Sequence, residues 1–116
     1  MTRGSSETCS SNVGKVEPGQ TINLGDDLCY QESVIIHEFI HAIGFDHEFN
    51  RFDRDDFVKV NWKNIQDGFN GTFEIHDKWE TFNTPYDWKS IMHYTSSHLS
   101  INKDDPQFAT MISNVC

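Results

Sequence analysis

The stretch from residue 32 to residue 43 constrains this chain more than any other. Val34, Ile35, Phe39, Ile40, Ala42 and Ile43 place apolar side chains on nearly every side of a 3.6-residue turn, which predicts a helix buried in a core. Gln31 or Ser33 is positioned to open it. Gly44 ends it, because glycine adopts the left-handed geometry through which a chain leaves a helix sharply. His37 and His41, four residues apart, fall on one face of this helix one turn from each other, where two imidazoles can grip a single ion. Glu38 is rotated about 100° from His37 around the axis, an offset that suits a carboxylate working beside an ion without ligating it.

Three residues after Gly44 comes His47, so the turn can bring a third imidazole to the same ion. Three neutral nitrogen ligands leave a fourth position open, the arrangement of a catalytic rather than a structural zinc site. The two-histidine core alone is only suggestive; the added Gly44 and His47 make chance spacing a poor explanation.

The rest of the sequence narrows the classes. With 116 residues and 36% hydrophobic content the chain fits one domain, so one site must carry the function. A formal net charge of −9, from 18 acidic and 9 basic residues, argues against capture of nucleic acid or anionic lipid. No apolar run approaches the ~20 residues that cross a bilayer, and the polar start at residues 1–7 does not read as a signal peptide. Residues 20–24 alternate polar and apolar and predict a short strand ending in the turn at residues 25–27. Residues 51–56 read as a structured, highly charged surface loop, a short helix is expected near Asn61, and mixed turns and helix fill residues 68–85. Of three cysteines, Cys9 and Cys29 flank a turn-rich stretch: a bridge there would restrain the unfolded chain by roughly 3 kcal/mol, and two buried thiols fit the spacing equally.

A second feature stands some distance downstream, Ser90-Ile91-Met92-His93-Tyr94. An extended histidine motif followed by a methionine turn is the pattern of metzincin proteases. The run from His37 to Glu48, in which a glutamate follows the third histidine, resembles the astacin family. Arg51, the run Asp53-Arg54-Asp55, the pair Tyr86-Asp87, and Cys9-Ser10-Ser11-Asn12-Val13-Gly14 resemble it too, and the likeness covers about residues 8–112.

That resemblance implies an α+β, metzincin-type zinc protease domain, its active-site helix packed on a small mixed sheet and its cleft between two subdomains. It makes His37, His41 and His47 the ligands of Zn²⁺, Glu38 the general base and proton shuttle, and Met92 the hydrophobic floor under the metal. Tyr94 becomes an additional, weak ligand that swings away on substrate binding and then donates to the oxyanion; His76, His93 and His98 stay structural or exposed. The resemblance also implies a Cys9–Cys29 disulfide, secretion, and a peptide or protein substrate laid along an edge strand, for which residues 10–15 are the candidate. No oligomeric state is assigned. Segments that the family carries before Cys9 and after residue 112 have no counterpart, including the amine that pairs with the glutamate matching Glu48. The chain is therefore expected to be a catalytic domain truncated at both ends, with Cys116 unpaired. The runner-up is a fragment that binds zinc or a protein partner without catalysis.

Overall fold

A computed structural model describes residues 8–114; the polar start and Cys116 lie outside these residues. The chain forms two compact units, residues 1–46 and 47–116.

The first unit holds the ribbon β1 (Cys9–Ser10) and β2 (Asn23–Leu24), a 3₁₀ turn at Asp27–Tyr30, and helix α1 (Glu32–Ala42). The strands pair antiparallel, with Cys9 opposite Leu24 and Ser10 opposite Asn23. Only the end of the alternating stretch 20–24 becomes strand, and of the candidate edge segment 10–15 only Ser10 does. Asp26 fixes the 3₁₀ turn, its Oδ1 accepting from the backbone N–H of Leu28 at 2.7 Å and of Cys29 at 3.1 Å. A disulfide joins Cys9 to Cys29 with the Cα atoms 5.5 Å apart, resolving the two readings of that spacing in favour of the bridge.

Helix α1 follows at once, with Gln31 at its N-cap making no side-chain cap bond. Its far end is a Schellman motif: Gly44 at φ 114° donates to His41 O at 2.9 Å, and Phe45 N–H donates to Ile40 O at 3.2 Å. Gly14, also at positive φ, donates its N–H to the same His41 carbonyl at 2.8 Å.

The helix is not the buried one that its apolar periphery predicts. Only Glu38 and His41 are buried in it, whereas Ile36, Phe39 and Ile43 are 43%, 44% and 72% exposed. The reason is the size of its surroundings, since a two-residue ribbon and one turn of 3₁₀ helix cannot cover every side of an 11-residue helix.

The second unit is built differently. β3 (Val58–Val60) pairs antiparallel with β4 (Met111–Ser113), Val60 opposite Met111. The described strands are thus all antiparallel where a mixed sheet was expected. Short 3₁₀ turns supply the rest, including Trp62–Asn64 where the short helix near Asn61 was expected. Phe49, Val58, Ile65, Phe73 and Met111 form one buried cluster, each large side chain contributing about 1.5–3 kcal/mol by leaving water.

Buried polar groups satisfy the turns' carbonyls. Arg54, expected on a surface loop, is buried, and its Nη1 donates to Phe49 O at 3.0 Å and Phe73 O at 2.8 Å. Asn50 Nδ2 donates to Thr72 O and Glu74 O, and Asn64 Nδ2 to Ala109 O. Where a chain has few ladders, such donors replace the strand partners that its carbonyls lack. No helix among the described residues is long and apolar enough to cross a membrane.

Candidate metal centre

Helical spacing sets the first two imidazoles. The rings of His37 and His41 stand edge to face, centroids 4.6 Å apart. His41 Nδ1 donates to Phe45 O at 2.8 Å, a direction fixed because a carbonyl can only accept, so the hydrogen sits on Nδ1 and Nε2 keeps its lone pair. Burial lowers the His41 pKa below its ordinary value, the Phe45 carbonyl partly opposing it, which favours the neutral form that ligates metals.

Glu38 is buried, and its Oε2 has no hydrogen-bond partner among the described residues. Burial raises its carboxyl pKa, offset in part by the charge of His37. An acceptor oxygen taken from water and left without a partner is costly unless a ligand or reactant uses it.

His47 immediately follows Asp46. The ligand nitrogens of His37, His41 and His47 all lie within 4.8 Å of one another. Three imidazoles, one buried, beside a carboxylate oxygen lacking a partner make a donor set that fits zinc in its nitrogen-ligated, open form. A second cluster, Cys9, Asp26 and Cys29, is no competitor, because both sulfurs are consumed by the disulfide.

Beyond His47 the second unit holds the methionine turn. The His47 ring stacks on Phe49 at 5.1 Å and lies 4.5 Å from that of Tyr94. Glu48 N–H donates to Met92 O at 3.0 Å, tying the turn to the residue after His47. Met92 is itself buried, and its N–H donates to Ser90 Oγ.

A relay of bonds holds the same turn, and sequence reasoning missed it. His93 Nδ1 donates to Tyr94 O at 2.7 Å, which leaves Nε2 to accept from Tyr86 Oη at 2.7 Å. Arg51 lies over the Tyr86 ring at 5.5 Å and donates to Thr84 O and Pro85 O. Glu48 Oε1 accepts from Arg51 Nη1 at 3.0 Å and from Asp87 N–H at 2.9 Å. The signals for this network were the family likeness of Arg51 and Tyr86-Asp87, which carried no role with it, and that of Glu48, which was matched to an amine and here accepts from Arg51 and Asp87.

Comparison with known proteins fits this geometry. A family model for Astacin, a peptidase family, matches residues 1–115. The chain is 43% identical over 96 residues to the zinc metalloproteinase nas-14 of Caenorhabditis elegans, covering 81% of this chain and 19% of that protein. It is 42% identical to the low choriolytic enzyme of Oryzias latipes, covering 91% of this chain and 38% of that protein, and 41% identical to meprin A subunit alpha of Rattus norvegicus, covering 90% and 14%. It therefore spans well under two thirds of the relatives it matches. Among solved structures, high choriolytic enzyme 1, a hatching enzyme zinc-protease from Oryzias latipes, superposes with a TM-score of 0.87 at 34% identity, over 96% of this chain and 54% of that one. An α+β fold, a histidine triad spaced for zinc and a family match along nearly the whole chain lead to one conclusion: this chain belongs to the astacin family of peptidases.

Proposed function

We propose that residues 1–116 are part of the catalytic domain of a zinc endopeptidase that hydrolyses peptide bonds in peptide or protein substrates. The observation that carries the proposal is the buried Glu38 oxygen without a partner, one residue along the helix from a histidine of the triad. His37, His41 and His47 would hold the ion. Bound zinc supplies Lewis-acid polarisation and a more acidic water.

The chain's own residues do the remainder. His41 presents Nε2 to the metal because Phe45 O holds Nδ1. Glu38 accepts the proton of the attacking water at its carboxylate and returns it to the departing amine, so the burial that raises its pKa moves it toward the range in which a base can also act as an acid. Tyr94 donates its hydroxyl hydrogen to the developing oxyanion, with the bond from His93 to its carbonyl and the ring of His47 orienting it. Its disulfide and its family support export through an oxidising compartment.

Glu38→Gln tests the assignment in the complete natural protein. The amide keeps size and reach but cannot take a proton, so cleavage of denatured casein should fall at least ~100-fold while bound zinc stays stoichiometric. Tyr94→Phe should cost less, and His47→Ala should lose zinc itself. A Glu38→Gln protein that cleaves at the native rate removes Glu38 from the mechanism, and a zinc-loaded native protein that cleaves nothing leaves metal binding as the sole function.

A further inference from the structure

Residues Asn70, Gly71 and Thr72 spell Asn-X-Thr with X other than proline, the acceptor pattern for N-linked oligosaccharide. A tripeptide of common residues means little until its setting is known. Here Thr72 N–H donates to Phe69 O at 3.1 Å, closing one reverse turn with Asn70 and Gly71 at its tip, both exposed. The chain just beyond the tip is pinned inward. Asn50 donates to Thr72 O and Glu74 O, Arg54 donates to Phe73 O, and the Phe73 ring is fully buried. A large group added at the Asn70 amide would therefore displace no core contact of this unit. Phe69, the residue before Asn70, is 45% exposed and offers an apolar ring to solvent.

We propose that Asn70 is an N-glycosylation site, modified during secretion, and that the first sugar of its glycan lies with its apolar face on the Phe69 ring. The donor is an oligosaccharide joined to a lipid diphosphate. The Asn70 amide nitrogen forms a bond to the sugar's anomeric carbon, the bond from that carbon to the diphosphate oxygen breaks, and the lipid diphosphate and one amide proton leave. Thr72 supplies the hydroxyl that the transferring enzyme reads. This inference rests on the proposed export, not on the peptidase chemistry.

The test uses the natural protein, expressed from its complete reading frame in insect cells and collected from the medium. Trypsin releases residues 64–78 as one peptide, since Lys63 and Lys78 bound it and no lysine or arginine intervenes. That peptide should carry hexose and N-acetylhexosamine mass, and peptide N-glycosidase should convert Asn70 to aspartate. Asn70→Gln and Thr72→Ala should abolish the modification and Thr72→Ser should keep it. Secreted protein with an unmodified 64–78 peptide overturns the site, whatever its peptidase activity; protein retained in the cytosol with reduced Cys9 and Cys29 overturns the export on which it rests. Removing the glycan should lower the melting temperature of the native protein and leave that of Phe69→Ser unchanged; equal losses overturn the stacking.

Discussion

In residues 47–116 five buried apolar side chains share one cluster, and the buried side chains of Arg54, Asn50 and Asn64 donate to backbone carbonyls. Among the described residues up to 46 the buried apolar ones are Leu24 and Cys29, while Ile36 and Phe39 of the helix and Ile43 at its C-cap are exposed and a buried glutamate oxygen goes without a partner. The first region is held by covalent and backbone devices, namely a disulfide, a side-chain cap on a 3₁₀ turn and a Schellman close. The second is held by packing. The two regions thereby differ in how their stability is supplied and not in polar satisfaction, since Asn50 Oδ1 in the second region is also buried without a hydrogen-bond partner.

The sharpest way to break this contrast is Phe73→Ala. Truncating a fully buried ring in the second unit should cost about 3–5 kcal/mol in urea unfolding. Trp62, Trp79 and Trp88 all lie in that unit, so their fluorescence reports on it; a loss under ~1 kcal/mol would show that the cluster is not what holds it. Opening the disulfide by Cys9→Ala with Cys29→Ala should take roughly 3 kcal/mol from the first region through the freed loop. Helical circular dichroism should register that loss while the tryptophan midpoint stays put, and a shift of both together would contradict the separation.

Acid supplies a smaller effect. Hydrogen bonding to Arg51 holds the Asp53 carboxyl below its ordinary value of 3.8. The unfolded chain therefore takes up this proton first, so the pair's stabilisation is complete above 3.8 and is lost as pH falls through the lowered folded value. Tryptophan-monitored stability should decline in that window, and Asp53→Asn should flatten the decline. Smallest of all, Ile43→Thr at a 72% exposed helix end should move stability by no more than about 0.5 kcal/mol. A loss above ~2 kcal/mol would mean that Ile43 carries packing that its exposure does not suggest.

The grouping of the three histidines was legible in sequence because its logic is local. A period of 3.6 places His37, Glu38 and His41, and Gly44 announces the turn before His47. The second unit was far less legible. Its core residues Phe49, Val58, Ile65, Phe73 and Met111 follow no period, since they arrive from 3₁₀ turns and three-residue strands. Donors such as Arg54 and Asn50 look like surface residues in sequence, because their partners are carbonyls and any residue supplies a carbonyl. The bond from Tyr86 to His93 joins side chains whose meeting depends on a loop that no spacing rule describes. The helix was misread in the opposite sense, since periodicity reports which sides are apolar and not whether anything covers them.

The hydrogen bond from His41 Nδ1 to Phe45 O has a consequence for the kinetics and entropy of metal uptake. A freely rotating imidazole must be frozen, in one tautomer and one orientation, when an ion arrives, and ordering a side chain costs on the order of 1 kcal/mol. For His41 that loss of freedom is incurred when the helix closes, since the Schellman turn that ends α1 also delivers the Phe45 carbonyl to the ring. With His41 as a ligand in the proposed role, folding would do part of the work of coordination in advance, and the ion would meet an imidazole already aimed.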